Sequence, residues 1–175
     1  PNPSKKRIGI CLSGASSRWP YLHWLELLDG LVSKGLTPVL FGSKTEFMVA
    51  EKLVSKINPV ESYVGKLSLI ETITAFRQLH CVVSNDTGLA HIATLCTPKV
   101  VTILGGGTFG RFFPWPKQEN QYIVHYGMDC YDCEWRCFHP QKLCLDFIEP
   151  SDVLDYLLHI LAGGEVSRTL IVSQV

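Results

Sequence analysis

A chain of 175 residues is long enough to bury one sizeable core and fits a single domain. Its 16 basic and 16 acidic side chains cancel, which argues against a nucleic-acid partner or a broad basic membrane face. No apolar run is long enough to span a bilayer, and seven cysteines, an odd number, suit a reducing compartment better than a disulfide framework.

The start, Pro1, Asn2, Pro3, Ser4, Lys5 and Lys6, is polar, lacks the apolar stretch of a signal peptide and reads as a linker over residues 1–6. Residues 7–12 read as a strand, and residues 13–18 as a small loop rich in donors. Pro20 suits a helix start, Leu22, Leu25, Leu28, Leu31 and Val32 give it an apolar stripe, and Gly35 ends it. Val39, Leu40 and Phe41 form a second strand, followed by a helix through Phe47, Ala50, Leu53, Val54 and Ile57 that Ser43 or Thr45 can cap. Tyr63, Val64 and Gly65 read as a strand end, and Ser68 with Glu71 makes a capping box for a helix to about Leu79. Cys81, Val82 and Val83 form the next buried strand. Further strands are expected at residues 100–104 and 121–125, and Ser151 opens a last helix through Val153, Leu154, Leu157, Leu158 and Leu161 that stops at Gly163 and Gly164. The alternation predicts an α/β fold, a parallel sheet with helices on both faces, as one domain over 7–162 with 163–175 as a C-terminal tail.

Residues 82–93, VVSNDTGLAHIA, organise the rest. They read as a strand, a sharp turn and a helix start. Asn85 or Asp86 is the expected cap, and Thr87, Gly88 and Leu89 offer backbone N–H groups where the helix dipole favours an anion. Gly88 admits close approach of a ligand, and Thr87 and His91 share one helix face. The plainer reading is a capped helix with His91 as a satisfied polar residue. In such sheets ligands bind beyond the carboxyl ends of the strands, so the loops at 13–18, 42–46, 65–68, 85–91 and 105–111 point to a nucleotide or phosphate site.

Residues 105–110, GGGTFG, contain G-x-G-x-x-G, but Pro114 and Pro116 follow where the dinucleotide fingerprint needs a helix. The loop is either a phosphate cradle or a flexible turn. Arg18 and Arg111 are each either a phosphate partner or a solvated surface residue. Cys130, Cys133, Cys137 and Cys144, within a Cys-rich segment over 130–144, are either ligands of a structural zinc or packed free thiols. No G-x-S-x-G elbow supports a hydrolase.

At residues 84–93, SNDTGLAHIA, the chain resembles the glycosyltransferase family 9 heptosyltransferases of bacterial lipopolysaccharide synthesis. Residues 14–20, GASSRWP, resemble the family's loop after the first strand of its C-terminal half, and residues 65–71 its GK-x-SL-x-E segment. The cysteine cluster followed by Leu145 and Ile148 resembles the tail of many members, and the likeness spans about residues 7–161.

The resemblance implies a Rossmann-like domain, the C-terminal half of a two-domain GT-B glycosyltransferase. It implies a nucleotide-sugar donor, usually ADP-heptose, and no required cofactor. A lipid-linked or core-saccharide acceptor, and the catalytic base, would belong to an N-terminal domain missing from this chain, which alone would be inactive. By position, Asp86, Thr87, Gly88, Leu89 and His91 would contact the donor's phosphates and sugar. The loop with Ser13, Gly14, Ser16 and Arg18 would contact the diphosphate, and Glu46 the ribose or base. The family often has a lysine in that loop; the nearest basic residue here is Arg18. Because a carboxylate beside a diphosphate would repel it, Asp86 is assigned to capping the helix and accepting from sugar hydroxyls. A cytoplasmic location, with peripheral contact at the inner membrane, follows from the resemblance. The alternative is a nucleotide- or sugar-binding module related to GT-B enzymes but without transfer activity.

Overall fold

The computed structural model describes residues 6–13 and 19–173. Seven strands form one sheet: β1 (Arg7–Cys11), β2 (Thr37–Phe41), β3 (Glu61–Ser62), β4 (Cys81–Asn85), β5 (Val100–Ile103), β6 (Gln121–Tyr126) and β7 (Thr169–Val172). All neighbours are parallel, in the order β3-β2-β1-β4-β5-β6-β7. The crossovers are α1 (Tyr21–Ser33), α2 (Phe47–Val54), α3 (Leu69–Phe76), α4 (Gly88–Cys96), α5 (Leu143–Asp146) and α6 (Pro150–Ala162). This is the expected α/β, Rossmann-like arrangement.

Alternate strand residues serve opposite faces, and both faces are apolar because both are covered. Ile8 and Ile10 of β1, Cys81 and Val83 of β4, and Val101 and Ile103 of β5 pack with Leu27, Leu28 and Leu31 of α1 and Val153, Leu157 and Ile160 of α6. On the other face Cys11, Val39, Val82 and Val100 pack with Phe76 of α3 and Ala93 of α4. Burial pushes the Cys11 and Cys81 thiols up to about 12, so both are inert packing groups.

Several boundaries differ from the sequence reading. Residues 169–172, placed in the tail, pair with β6 as the seventh strand. The last helix starts at Pro150, one residue early, because proline fits the first helical position behind an extended Glu149. Its end at Gly163, in the left-handed region at φ 80°, is as expected. The third strand is Glu61–Ser62; Tyr63 N–H still donates to Leu40 O at 2.9 Å, and Val64, Gly65 and Lys66 turn, with Lys66 N–H donating to Tyr63 O at 3.0 Å. The strand order reverses between β1 and β4, so the crevice at their carboxyl ends is the topological switch point of the sheet.

Candidate functional site

Strand β4 delivers Asn85, fully buried, to that switch point. Its amide donates to Ser13 O at 3.3 Å and accepts from Trp19 N–H at 3.3 Å. One side chain thus ties down both ends of the loop after β1. Gly14, Ser16 and Arg18, three of the expected diphosphate contacts, lie outside the described residues.

Neither Asn85 nor Asp86 caps α4. The N-cap is Thr87, extended at φ −149° and ψ 168°, and no side chain caps it. Asn85 is held by the loop, and the Asp86 carboxylate is directed to the side chains of Thr108 and His91 rather than to the first-turn N–H groups. The capping role expected of Asp86 is therefore corrected. Ala90 and His91 donate to Thr87 O, which leaves the earlier first-turn N–H groups without intrahelical acceptors.

Two cavities flank this helix start. The first, about 390 Å³, is lined by Ser13, Phe41, Ser43, Tyr63, Leu67, Leu89 and Ile92 among others, and is mostly apolar. The second, about 330 Å³, is lined by Asp86, His91, Thr108, Phe112 and Trp135. Thr87 and Gly88 line both. Of the expected residues, Ser13 and Leu89 meet in the first cavity, and Asp86 and His91 in the second. The Ser13 hydroxyl is buried with no partner among the described residues.

The second cavity is a polar constellation on an aromatic frame. Thr108 donates to Asp86 Oδ2 at 3.3 Å, and His91 Nε2 lies 3.7 Å from Asp86 Oδ1. Burial raises the Asp86 pKa; His91 and Thr108 act the other way. Trp115 Nε1–H donates to His91 Nδ1 at 2.9 Å, and Phe113 stacks on the imidazole at 4.3 Å.

Glu46 is buried but lines neither cavity. Its carboxylate accepts from Ser43 N–H and Ser43 Oγ–H, each at 2.8 Å, and from Thr45 Oγ–H at 2.6 Å, a second capping box. Ser43, which it holds, reaches the first cavity.

The glycine loop has a packing explanation. A Cβ on Gly107 would sit 2.4 Å from the Trp135 ring, and one on Gly105 2.7 Å from it. These glycines admit the indole that walls the second cavity, so they are not a mere flexible turn. Arg111 is bound by Asp132 at 2.7 Å and Glu134 at 3.0 Å, which ties this loop to the Cys-rich segment. The described residues contain no group of three or more His, Cys, Asp or Glu side chains placed to share a metal ion, so the structure gives the zinc reading no support. The thiols have other neighbours. Cys130 Sγ lies 3.7 Å from His139 Nε2, and Cys137 Sγ–H donates to Gln141 O at 3.6 Å. Burial raises the Cys144 pKa, the other three thiols adding to the effect.

Sequence reasoning missed Phe41, Tyr63, Leu67 and Ile92 in the first cavity and Thr108, Phe112, Trp115 and Trp135 around the second. The aromatic residues at strand ends and in irregular chain were the available signal. Among the described residues, no helix is long and apolar enough to cross a membrane.

Comparison with known proteins agrees with this fold. Lipooligosaccharide heptosyltransferase 2 of Haemophilus ducreyi is 33% identical over 126 residues, 67% of this chain and 36% of that protein. Lipopolysaccharide heptosyltransferase 2 of Escherichia coli is 27% identical over 106 residues, 56% of this chain and 30% of that protein. Among solved structures, the family 9 glycosyl transferase of Veillonella parvula superposes with a TM-score of 0.80 at 18% identity, over 93% of this chain and 48% of that one. Escherichia coli ADP-heptose lipopolysaccharide heptosyltransferase II gives 0.74 at 24% identity, over 91% of this chain and 47% of that one. The chain thus spans about a third of these curated relatives and just under half of these structures. The family model of glycosyltransferase family 9 (heptosyltransferase) matches residues 2–137, and the chain belongs to that family.

Proposed function

We propose that this chain is the donor-binding half of a heptosyltransferase. The observation that carries the reading is the position of the α4 N-terminus between two unlike cavities, with Thr87 and Gly88 shared by both. A nucleotide sugar has the same order: an apolar base and ribose, a diphosphate, then a polyhydroxylated sugar. The base lies among Phe41, Tyr63, Leu67 and Ile92, with the ribose toward Ser13 and Ser43. Glu46 serves the ribose end by fixing Ser43. The diphosphate meets the N–H groups of Thr87, Gly88 and Leu89, together with the loop holding Gly14, Ser16 and Arg18. The sugar lies against Asp86, His91 and Thr108. ADP-heptose is the proposed donor; an Escherichia coli heptosyltransferase of similar fold has been solved with ADP and with ADP-2-deoxy-2-fluoro heptose.

The residues suit the chemistry. Breaking the sugar–phosphate bond leaves negative charge on the diphosphate, and preorganised N–H groups at a helix start stabilise that charge as it develops. Asp86, kept off the phosphates, accepts from sugar hydroxyls. The base that activates the acceptor, and the surface for a lipid-linked core saccharide, belong in this reading to the other half of a two-domain enzyme working in the cytoplasm at the inner membrane. This chain alone binds donor and transfers no sugar. Calorimetry against ADP, ADP-heptose, UDP, GDP and CDP tests the reading: ADP and ADP-heptose bind most tightly. A folded chain that binds none of them refutes it, and sugar transfer by this chain alone refutes the division of labour.

A further inference from the structure

We propose that Trp115 is a positioning residue that locks His91 as its Nε2–H tautomer, so that His91 meets a ligand in the Asp86 cleft as a hydrogen-bond donor and never as a base. The second half rests on the reading of that cleft as the donor-sugar site; the first does not.

The indole nitrogen can only donate. With Trp115 Nε1 2.9 Å from His91 Nδ1, that imidazole nitrogen must be the acceptor, and the neutral ring then carries its proton on Nε2. The two rings are inclined by only 25° with centroids 5.5 Å apart, and the indole N–H is directed at Nδ1. Both partners are held. Phe113, fully buried, covers one face of the imidazole at 4.3 Å and 15°. Trp115 is anchored by its backbone N–H to Oε1 of Gln121, itself 3% exposed.

The outcome is a directed donor. His91 Nε2–H faces Asp86 at 3.7 Å, beyond hydrogen-bond reach, and the imidazole is 28% exposed to the cleft. A ligand oxygen can therefore receive this N–H while Asp86 accepts from a neighbouring hydroxyl. The same lock removes His91 from the list of bases. Nδ1 is occupied by the indole and Nε2 already bears hydrogen, so neither can take a proton from an attacking hydroxyl.

Long-range ¹H–¹⁵N NMR of the whole chain reads the tautomer directly, with the His91 signals assigned by their loss in His91→Gln. The expected result is a protonated Nε2 and an unprotonated Nδ1 in the wild type, and a mixture of tautomers in Trp115→Phe, which keeps a ring and loses the donor. A wild-type His91 protonated on Nδ1 overturns the proposal whether or not the variant folds, and so does an unchanged tautomer in folded Trp115→Phe. Calorimetry with ADP-heptose tests the donor role. His91→Gln, whose amide N–H can reach the Nε2 position, retains more affinity than His91→Ala, which loses about tenfold, the worth of one hydrogen bond. Equal losses in both refute the donor role. A wild type that binds no ADP-heptose refutes the reading of the cleft instead, and leaves the NMR result standing.

Discussion

Gly88 offers a clean way to remove one backbone N–H from the proposed phosphate site. It is the first residue of α4, the helix position that tolerates proline best. The preceding Thr87 is already extended, as a residue before proline must be. Among the described residues, a Cβ at Gly88 meets no atom within 4 Å beyond its chain neighbours and its own helix backbone, so the side-chain space there is open. Gly88→Pro should therefore keep the fold, and its stability should hold or rise by about 0.4–1 kcal/mol through a stiffer unfolded chain. It nevertheless deletes the N–H proposed to meet a phosphate, and a hydrogen bond to a charged acceptor is worth about 1.5–3 kcal/mol. ADP should bind about 10- to 150-fold more weakly. Gly88→Ala is the reference, because it adds bulk and keeps the N–H; the difference between the two variants isolates the hydrogen bond. Calorimetry at one ionic strength, with melting curves for both proteins, makes the measurement. If folded Gly88→Pro binds ADP as tightly as Gly88→Ala, the helix start does not hold the phosphates.

Three further outcomes are expected. Asp86→Asn should raise Tm at neutral pH: burial raises the Asp86 pKa, so ionising it weakens the fold. The gain should vanish as pH falls below the ordinary 3.8, where Asp86 is protonated in both states; a Tm difference independent of pH would contradict this. His125 has its pKa lowered from the ordinary 6.5, chiefly by burial, so its neutral form supports the fold above that pH and the support is lost as pH falls. His125→Gln should flatten the decline of Tm between about pH 7 and pH 5, and an unchanged slope would count against the burial argument. Gly107→Ala should cost about 1–3 kcal/mol, since its Cβ meets ring atoms of Trp135 that cannot swing aside alone. It should weaken ADP-heptose binding more than ADP binding; equal effects on both would detach Trp135 from the sugar cleft.

What could be read from the chain followed the range of each interaction. The Ser68–Glu71 capping box was legible because its partners are three residues apart and answer only to each other. Ser43 and Glu46 carry the same spacing, yet the resemblance points Glu46 to the ribose or base, and its capping role shows only in the structure. Strands β1, β2, β4 and β5 were clear as short apolar runs. Strand β3 has two half-buried residues, Glu61 and Ser62, and β7 an alternation of exposed and half-buried positions, so neither announces itself. The site residues on the 84–93 stretch were visible, but their roles were not. Asn85 looks like a cap until its partners, Ser13 and Trp19, are seen 72 and 66 residues away. His91 looks like a lone polar residue until Trp115 arrives from 24 residues downstream. The glycines at 105 and 107 read as loop freedom because the ring that needs their emptiness belongs to a later segment.

The wall that Trp135 builds is made of strained backbone. Asp132, Glu134 and Trp135 all have positive φ, at 60°, 49° and 64°, and such backbone costs about 1–3 kcal/mol per residue. Against this stand the indole seated on Gly105 and Gly107, the Arg111 pairs, and the backbone bonds from Asp132 and Glu134 to Gly106 O and Gly107 O. Such a segment belongs to the low-stability end of a protein, where small cooperative units open without global unfolding. The first cavity, by contrast, includes Phe41 at the end of β2, a strand paired on both sides. Under mild denaturant the two halves of the proposed donor site should therefore part company. Amides near Trp135 would exchange hydrogen first, sugar discrimination would fade, and nucleotide affinity would outlast it.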